Sequence, residues 1–227
     1  SFVKLIWFDH LFFFVIGILL PLFSYMSSQA MQHIDDDDLL DEHSSKKDLY
    51  YSNGLMLWIG GLLVTTNYIM TSKPLARLGF DWPKIDTIVI GLTITLTLVY
   101  IADTIASVIQ YRKENTKEDK SIEMILPQTW SEYKHFIFLA VSAGICEEIV
   151  YRAFLINYLR ELLPLGPSNI FFAILIPSLI FALSHLYQGW LNVLKIFTIS
   201  LLFGNIYVHS ESLLIVIVLH TLVDLVS

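Results

Sequence analysis

The chain has 227 residues, of which 55% are hydrophobic and only 15% are charged, and its mean hydropathy is +0.63. Soluble domains average about 25% charged residues, so this composition excludes a soluble globular protein and indicates a polytopic membrane protein. Seven of the 21 acidic residues lie between Asp35 and Asp48, and no basic stripe is present to bind nucleic acid. The single cysteine, Cys146, excludes an intramolecular disulfide.

Seven apolar segments approach the roughly 20 residues that a membrane-spanning helix needs. In chain order they are residues 5–26, 49–70, 85–109, 135–163, 170–186, 190–207 and 213–226. The first is too long and too aromatic for a signal peptide, so we interpret it as a spanning helix. The sequence therefore predicts an all-α fold, a polytopic transmembrane helix bundle with about seven spans.

The loops divide the chain into two expected parts. Residues 1–134 contain the first three spans with acidic and charged loops, and residues 135–227 contain the four helices expected to form a catalytic core. The run 35–38 of four aspartates lacks the spacing of a calcium loop and is interpreted as a solvated loop. The turn at 163–168 breaks a helix. The loops on the side of residues 110–134 carry seven Lys and Arg against five on the other side, too small a difference to orient the chain.

Other charged residues lie near predicted span ends, where we expect their side chains to reach the membrane interface. They are Asp9, His10, Asp103 and Lys195.

The fourth span contains charged residues that a membrane helix normally excludes, and such residues indicate a functional site. Glu148 precedes Arg152 by four residues, the favourable order for an ion pair along a helix, which predicts a structural pair. Glu147 projects about 100° away from Glu148 and has no partner in its own helix, so we assign it to chemistry. Alternatively, both acids belong to one buried salt-bridge network.

The fifth and seventh spans each carry a histidine at spacing four from a second notable residue: Phe181 with His185, and His220 with Asp224. The alternating direction of successive spans places Glu147, His185, His220 and Asp224 in the same half of the membrane. A shared polar cavity is the simplest explanation of this coincidence.

A carboxylate and two imidazoles in such a cavity suit hydrolysis. The carboxylate can act as a general base for water, one histidine can hold that water, and the other can donate to the oxyanion. The HExxH motif of many zinc proteases is absent. Zinc held by Glu147, His185 and His220 is an alternative by ligand type, but we expect no metal and no cofactor.

Three motifs, on three separate spans, resemble those of the CPBP family of intramembrane proteases. This family includes the Rce1-like CAAX prenyl proteases and the bacterial Abi group, which is associated with bacteriocin immunity. The resemblance covers about residues 136–227, and its motifs are Glu147-Glu148-x-x-x-Arg152, Phe181-x-x-x-His185 and His220-x-x-x-Asp224.

The resemblance implies a multi-pass α-helical peptidase, with a bacterial plasma membrane as the expected location. Its partners would be the lipid bilayer and a membrane-embedded or membrane-tethered peptide or protein substrate. It implies that Glu147 and His185 activate water and that His220 and residue 224 stabilise the oxyanion, without catalytic zinc. It also assigns a supporting role to the remaining motif residues, Glu148, Arg152 and Phe181.

One position departs from the family pattern, because the CAAX proteases carry Asn where this chain has Asp224. An ionised carboxylate cannot donate a hydrogen bond to an oxyanion. Asp224 must therefore be protonated, orient His220, or have another task.

Two functions outside hydrolysis stay open. A membrane scaffold or immunity factor could retain the fold without catalysis, and it would tolerate loss of Glu147. In a small proton-coupled transporter, the same carboxylate and histidines would form a proton relay. The chain lacks the two matching halves that many transporters carry.

Overall fold

The computed structural model describes residues 4–31, 46–114, 126–163 and 167–226, and within them every regular element is helical. Seven helical segments in this part of the chain coincide with the seven predicted spans. The predicted loop 35–38, most of the loop after residue 114 and the centre of the turn at 163–168 lie outside the described residues. The α-helices are α1 (Trp7–Phe14), α2 (Leu20–Met31), α3 (Lys46–Met70), α4 (Thr87–Glu114), α5 (Trp130–Glu147), α6 (Asn157–Leu162), α7 (Pro167–Leu183), α8 (Trp190–Ser210) and α9 (Leu213–Val226).

Two of the seven segments are interrupted by π-helix. Val15–Leu19 joins α1 to α2, and Glu148–Ile156 joins α5 to α6. The π-helix is rare and is found most often at functional sites. The second stretch begins at the residue that follows Glu147, so it determines how the acidic motif faces its neighbours.

Within the part of the chain that the structure describes, three helices are long and apolar enough to cross a membrane, namely Trp7–Ser27, Thr87–Ile109 and Trp190–Ser210. Asn169–Leu183 and Leu213–Val226 are shorter apolar helices. These helices support a membrane protein and the predicted all-α class. The number of spans stays a prediction.

The segment Glu148–Ile156 lies at the centre of the bundle, and all nine of its residues are buried. It contacts α3, α7, α8 and α9. Small residues allow two of the helices to approach α5 closely, as expected for packing in membranes. A Cβ atom at Gly61 of α3 would lie 3.3 Å from Sγ of Cys146, and one at Gly144 would overlap the Thr221 side chain of α9.

One end of the bundle, here called the Asp9 end, is held by a buried ion pair. Asp9 is fully buried, and its carboxylate accepts hydrogen bonds from Lys73 Nζ at 2.5 Å and Asn67 Nδ2 at 2.8 Å. The expectation that Asp9 reaches the membrane interface is therefore wrong. A carboxylate so close to the start of α1 can stay buried because α3 and the residues after it supply both donors.

The other end, here called the Glu132 end, is stabilised by contacts at the start of α5. The backbone N–H of Gln128 donates to Glu132 Oε2 at 2.7 Å, and Lys46 Nζ lies 3.5 Å from the same carboxylate. The pKa of Glu132 is lowered, first by the hydrogen bond from Gln128 and then, against the opposing effect of burial, by the charge of Lys46. The Tyr133 hydroxyl donates to the carbonyl oxygen of Leu225 at 2.8 Å, which ties α5 to the end of α9.

A second ion pair joins α4 to α8. Asp103 Oδ1 and Lys195 Nζ are 2.7 Å apart, and both side chains are more than a third exposed. The two residues are expected to reach the interface, and they pair with each other while remaining partly exposed.

Candidate active site

The residues of the three motifs meet around the imidazole of His220. Nδ1 of His220 lies 2.7 Å from Oε1 of Glu148. A carboxylate only accepts, so this nitrogen carries the proton and donates it. The ring of Phe203 stacks on the imidazole at a centroid distance of 5.3 Å and an angle of 24°. The plane of His220 and the proton on its Nδ1 are thus both fixed.

The predicted pair of Glu148 and Arg152 is present and almost completely buried. Nη1 of Arg152 lies 3.0 Å from Oε1 of Glu148, with exposed side-chain fractions of 2% and 0%. The pair is held by charge more than by hydrogen bonds, because Arg152 Nη1 and Glu148 Oε2 have no hydrogen-bond partner among the described residues. The guanidinium group is positioned by Ser200 Oγ, which accepts from Nη2 at 3.0 Å, and by the rings of Phe181 and Phe203.

Glu147 and Asp224 lie on the opposite edge of the His220 ring. Oε2 of Glu147 and Oδ2 of Asp224 are each 3.6 Å from Nε2 of His220. Their side chains are 15% and 28% exposed, whereas that of Glu148 is completely buried. The two neighbouring glutamates therefore contact the two sides of a single imidazole. The sequence predicts that the two glutamates occupy different faces of their helix, with one common salt-bridge network as the alternative. Both descriptions apply, because the two side chains approach His220 from different sides.

His185 lies two residues after the end of α7 and has a defined tautomer. Its Nδ1 lies 2.8 Å from the carbonyl oxygen of Phe181, and a carbonyl oxygen only accepts, so Nδ1 is the protonated nitrogen. The lone pair of Nε2 is therefore free to accept a hydrogen bond from water. The Phe181 ring lies 4.7 Å from the His185 ring and 6.1 Å from the His220 ring, so both imidazoles are near one phenyl group.

Three residues of this region were not identified from the sequence. Ser200 and Phe203 lie on α8, and Tyr187 follows His185 by two residues and stacks on its ring at 6.0 Å. Ser200 and Phe203 are three residues apart in an apolar helix, a spacing that places them on one face. A buried hydroxyl on an apolar face was the signal available, but it does not identify Arg152 as its partner.

The zinc alternative lacks geometric support. Within the described residues, no group of three or more His, Cys, Asp or Glu side chains is arranged to hold a metal ion. Glu147, His185 and His220 therefore do not form a preformed three-ligand site, and no catalytic step is assigned to a metal here.

A separate cavity of about 650 Å³ lies at the Asp9 end, lined among others by Arg77, Arg160 and Tyr207. It is distant along the bundle from His220 and contains none of the motif residues. The carboxylates and imidazoles suited to hydrolysis do not line this cavity.

The comparisons with known proteins bear on the same C-terminal region. Neither the curated proteins nor the solved structures gave a match to the chain. Residues 129–226, somewhat less than half of the chain, match the family described as type II CAAX prenyl endopeptidase Rce1-like. This match includes all three motifs and α5 to α9. It confirms the resemblance inferred from the motifs, and similarity to this family supports a membrane-embedded peptidase.

Proposed function

We propose that this protein is an intramembrane endopeptidase of the glutamate type, which hydrolyses a peptide bond of a membrane-associated protein or peptide. The observation that carries the proposal is the arrangement around His220. One of its nitrogens is fixed by the buried Glu148, and the other faces the more accessible Glu147 and Asp224 at 3.6 Å. A buried carboxylate orients the imidazole, and a second carboxylate stays available for chemistry.

In this mechanism the carboxylate of Glu147 takes a proton from a water molecule while the oxygen of that water attacks the carbonyl carbon of the scissile amide. The unprotonated Nε2 of His185 accepts a hydrogen bond from the same water and holds it for attack. The amide oxygen becomes an oxyanion, which accepts a hydrogen bond from Nε2–H of His220. When the C–N bond breaks, the proton held by Glu147 passes to the leaving amine nitrogen.

Asp224 would act through His220. Its carboxylate faces the Nε2 of that ring at 3.6 Å, and a negative charge there stabilises the protonated imidazole that donates to the oxyanion. In this assignment the task of Asp224 is to orient His220. It does not require the carboxyl group to be a hydrogen-bond donor.

The proposed topology has seven spans in a bacterial plasma membrane. Each change of direction then brings the chain back across the bilayer, so the site lies in the half that contains the Glu132 end. A membrane-embedded or membrane-tethered substrate would present its scissile bond at that depth. The family description names CAAX prenyl endopeptidases, and the determinants of prenyl recognition are not needed for the proposed hydrolysis.

The test is a survey of peptide termini by mass spectrometry in membranes of cells that express the wild type or Glu147→Gln at matched levels. Glu147→Gln removes the base but preserves the shape of the side chain, so we expect wild-type-specific peptide ends to disappear. The matched control is Glu161→Gln, which removes a carboxylate that pairs with Arg77 at the Asp9 end, and it should cut like the wild type.

Three results would contradict the proposal. Identical termini in wild type and Glu147→Gln would favour a scaffold or immunity factor, provided that the variant still supports the phenotype lost on deletion. Uptake of a solute into liposomes driven by a pH gradient would favour the transporter. Loss of cleavage after treatment with a chelator, restored by added zinc, would overturn the metal-independent mechanism.

A further inference from the structure

Tyr187 lies next to His185 in the candidate site. It belongs to the 3-10 turn Leu186–Gln188, which follows His185 directly and ends at Gly189 with φ of 88°. Its ring stacks on the His185 ring at a centroid distance of 6.0 Å and an angle of 30°. The turn therefore holds the tyrosine against one of the two site imidazoles.

The hydroxyl group of Tyr187 has a free proton. Its oxygen accepts a hydrogen bond from Nε2 of Gln188 at 2.9 Å, and among the hydrogen bonds of the described residues none uses this hydroxyl as the donor. Burial raises the pKa of Tyr187, and the charges of Glu147 and Asp224 raise it further, against a lowering by Gln188. The phenol consequently stays protonated at neutral pH, and the ring contact places it beside His185.

The site is short of hydrogen-bond donors on the side of His220 that faces the substrate. Nε2 of His220 is flanked by Glu147 and Asp224, and ionised carboxylates supply acceptors only. A tetrahedral intermediate is stabilised by donors aimed at its oxyanion. Without another residue, His220 would be the single donor among the motif residues.

We propose that Tyr187 is a catalytic residue whose phenolic O–H donates a hydrogen bond to the oxyanion beside Nε2–H of His220. The ring contact with His185 fixes the direction of the phenol, and the bond from Gln188 occupies the oxygen while leaving its proton for the substrate. This role rests on the proposed peptidase function and extends it to a residue outside the three motifs.

The direct test is Tyr187→Phe, which removes the hydroxyl group and retains the ring that stacks on His185. Cleavage is followed with a quenched fluorescent peptide that spans a bond found in the survey of termini. Removal of one oxyanion donor lowers kcat by roughly 100- to 1,000-fold, so we expect a loss of this order with a nearly unchanged KM. The matched control is Tyr158→Phe, because the Tyr158 hydroxyl contacts His10 at the Asp9 end, and it should retain wild-type kcat.

A double substitution separates a donor from a merely structural tyrosine. Asp224→Asn introduces an amide N–H donor beside His220, so we expect Tyr187→Phe to lower kcat less in that background than in the wild type. Equal losses in both backgrounds would contradict the shared oxyanion role. Wild-type kcat in Tyr187→Phe, with a loss only in Tyr187→Leu, would assign the ring to packing and overturn the proposal.

The two proposals fail in different ways. If Glu147→Gln abolishes cleavage and Tyr187→Phe does not lower kcat, the peptidase stands and the role of Tyr187 is wrong. If the wild type cuts no bond that Glu147→Gln leaves intact, both proposals are overturned.

Discussion

At the scale of single residues, the division of labour between neighbouring glutamates depends on burial. The side chain of Glu148 is completely buried beside Arg152, whereas that of Glu147 is 15% exposed. A buried ion pair contributes little net stability, but removal of one partner leaves an uncompensated charge. Glu148 should therefore be required for folding and for the orientation of His220, and Glu147 for the chemical step.

Glu148→Gln is predicted to lower stability strongly. The guanidinium group of Arg152 would stay buried without a counter-charge, which costs about 3–5 kcal/mol, so the unfolding midpoint in detergent should fall well below that of the wild type. Activity should also fall, because the carboxylate no longer fixes Nδ1 of His220. The control is Glu211→Gln, whose carboxylate pairs with Lys84 and is 63% exposed; exposed pairs contribute about 0–1 kcal/mol. Equal midpoints for the two variants would show that Glu148 is not a structural residue.

The motif residues could be predicted from sequence because their spacing of four places each pair on one helix face. Glu148 with Arg152 and Phe181 with His185 are both in contact. Ser200 and Tyr187 were missed because their partners lie on another helix or depend on a turn. A single hydroxyl in an apolar segment, such as that of Ser200, does not indicate which charged residue it will bind.

At the scale of elements, the site depends on how closely α9 approaches α5. Gly144 provides this approach, since a Cβ atom there would lie 3.0 Å from the backbone nitrogen of Thr221 in addition to overlapping its side chain. Thr221 follows His220 directly. The distance between the helices therefore sets the distance between His220 and the two glutamates.

Gly144→Ala is predicted to reduce activity by roughly 10- to 100-fold, because a displacement of about 1 Å near a catalytic group has effects of this size. Cleavage of the fluorescent peptide by purified protein measures the loss. Gly91→Ala is the matched control: a Cβ atom at Gly91 on α4 meets nothing within 4 Å, and activity should be unchanged. Adding Thr221→Ala to Gly144→Ala should restore part of the activity. Full activity of Gly144→Ala alone would show that this contact does not position His220.

The π-helix after Glu147 is the element that the sequence analysis did not predict. An apolar helix pattern is compatible with both α- and π-helix, and the extra residue in a turn has no signature of its own in the composition. Its consequence is nevertheless specific, because all nine residues from Glu148 to Ile156 are buried in the bundle. An ideal α-helix through this region would leave part of the segment facing outwards.

At the scale of the whole molecule, the positions of the seven helical segments were predictable because long apolar runs are the strongest signal in a membrane protein. The faces through which they meet were not, since lipid is as apolar as the packed side chains. The burial of Asp9 by Lys73 and Asn67 illustrates this limit: the charges were visible in the sequence, but their partners were not.

If the helix Thr87–Ile109 crosses the membrane, as the seven-span topology requires, residues on its two sides should differ in accessibility. In a Cys146→Ala background, Asp81→Cys samples the Asp9 end and Lys134→Cys the Glu132 end, both at exposed positions. A maleimide that does not cross membranes should label one variant in intact cells and the other only after the membrane is opened. Labelling of both variants from the same side would exclude the seven-span topology.

The buried charges also impose an order on biosynthesis. Asp9 finds its counter-charge only when Lys73, 64 residues further along the chain, has been made; at about 5–20 residues per second this takes roughly 3–13 s. Glu148 can pair with Arg152 within the same turn of helix, but its other partner, His220, is synthesised 72 residues later. Helix α1 must therefore be retained by the insertion machinery while its acid is unneutralised, and the cluster around His220 is completed only once α9 has been made.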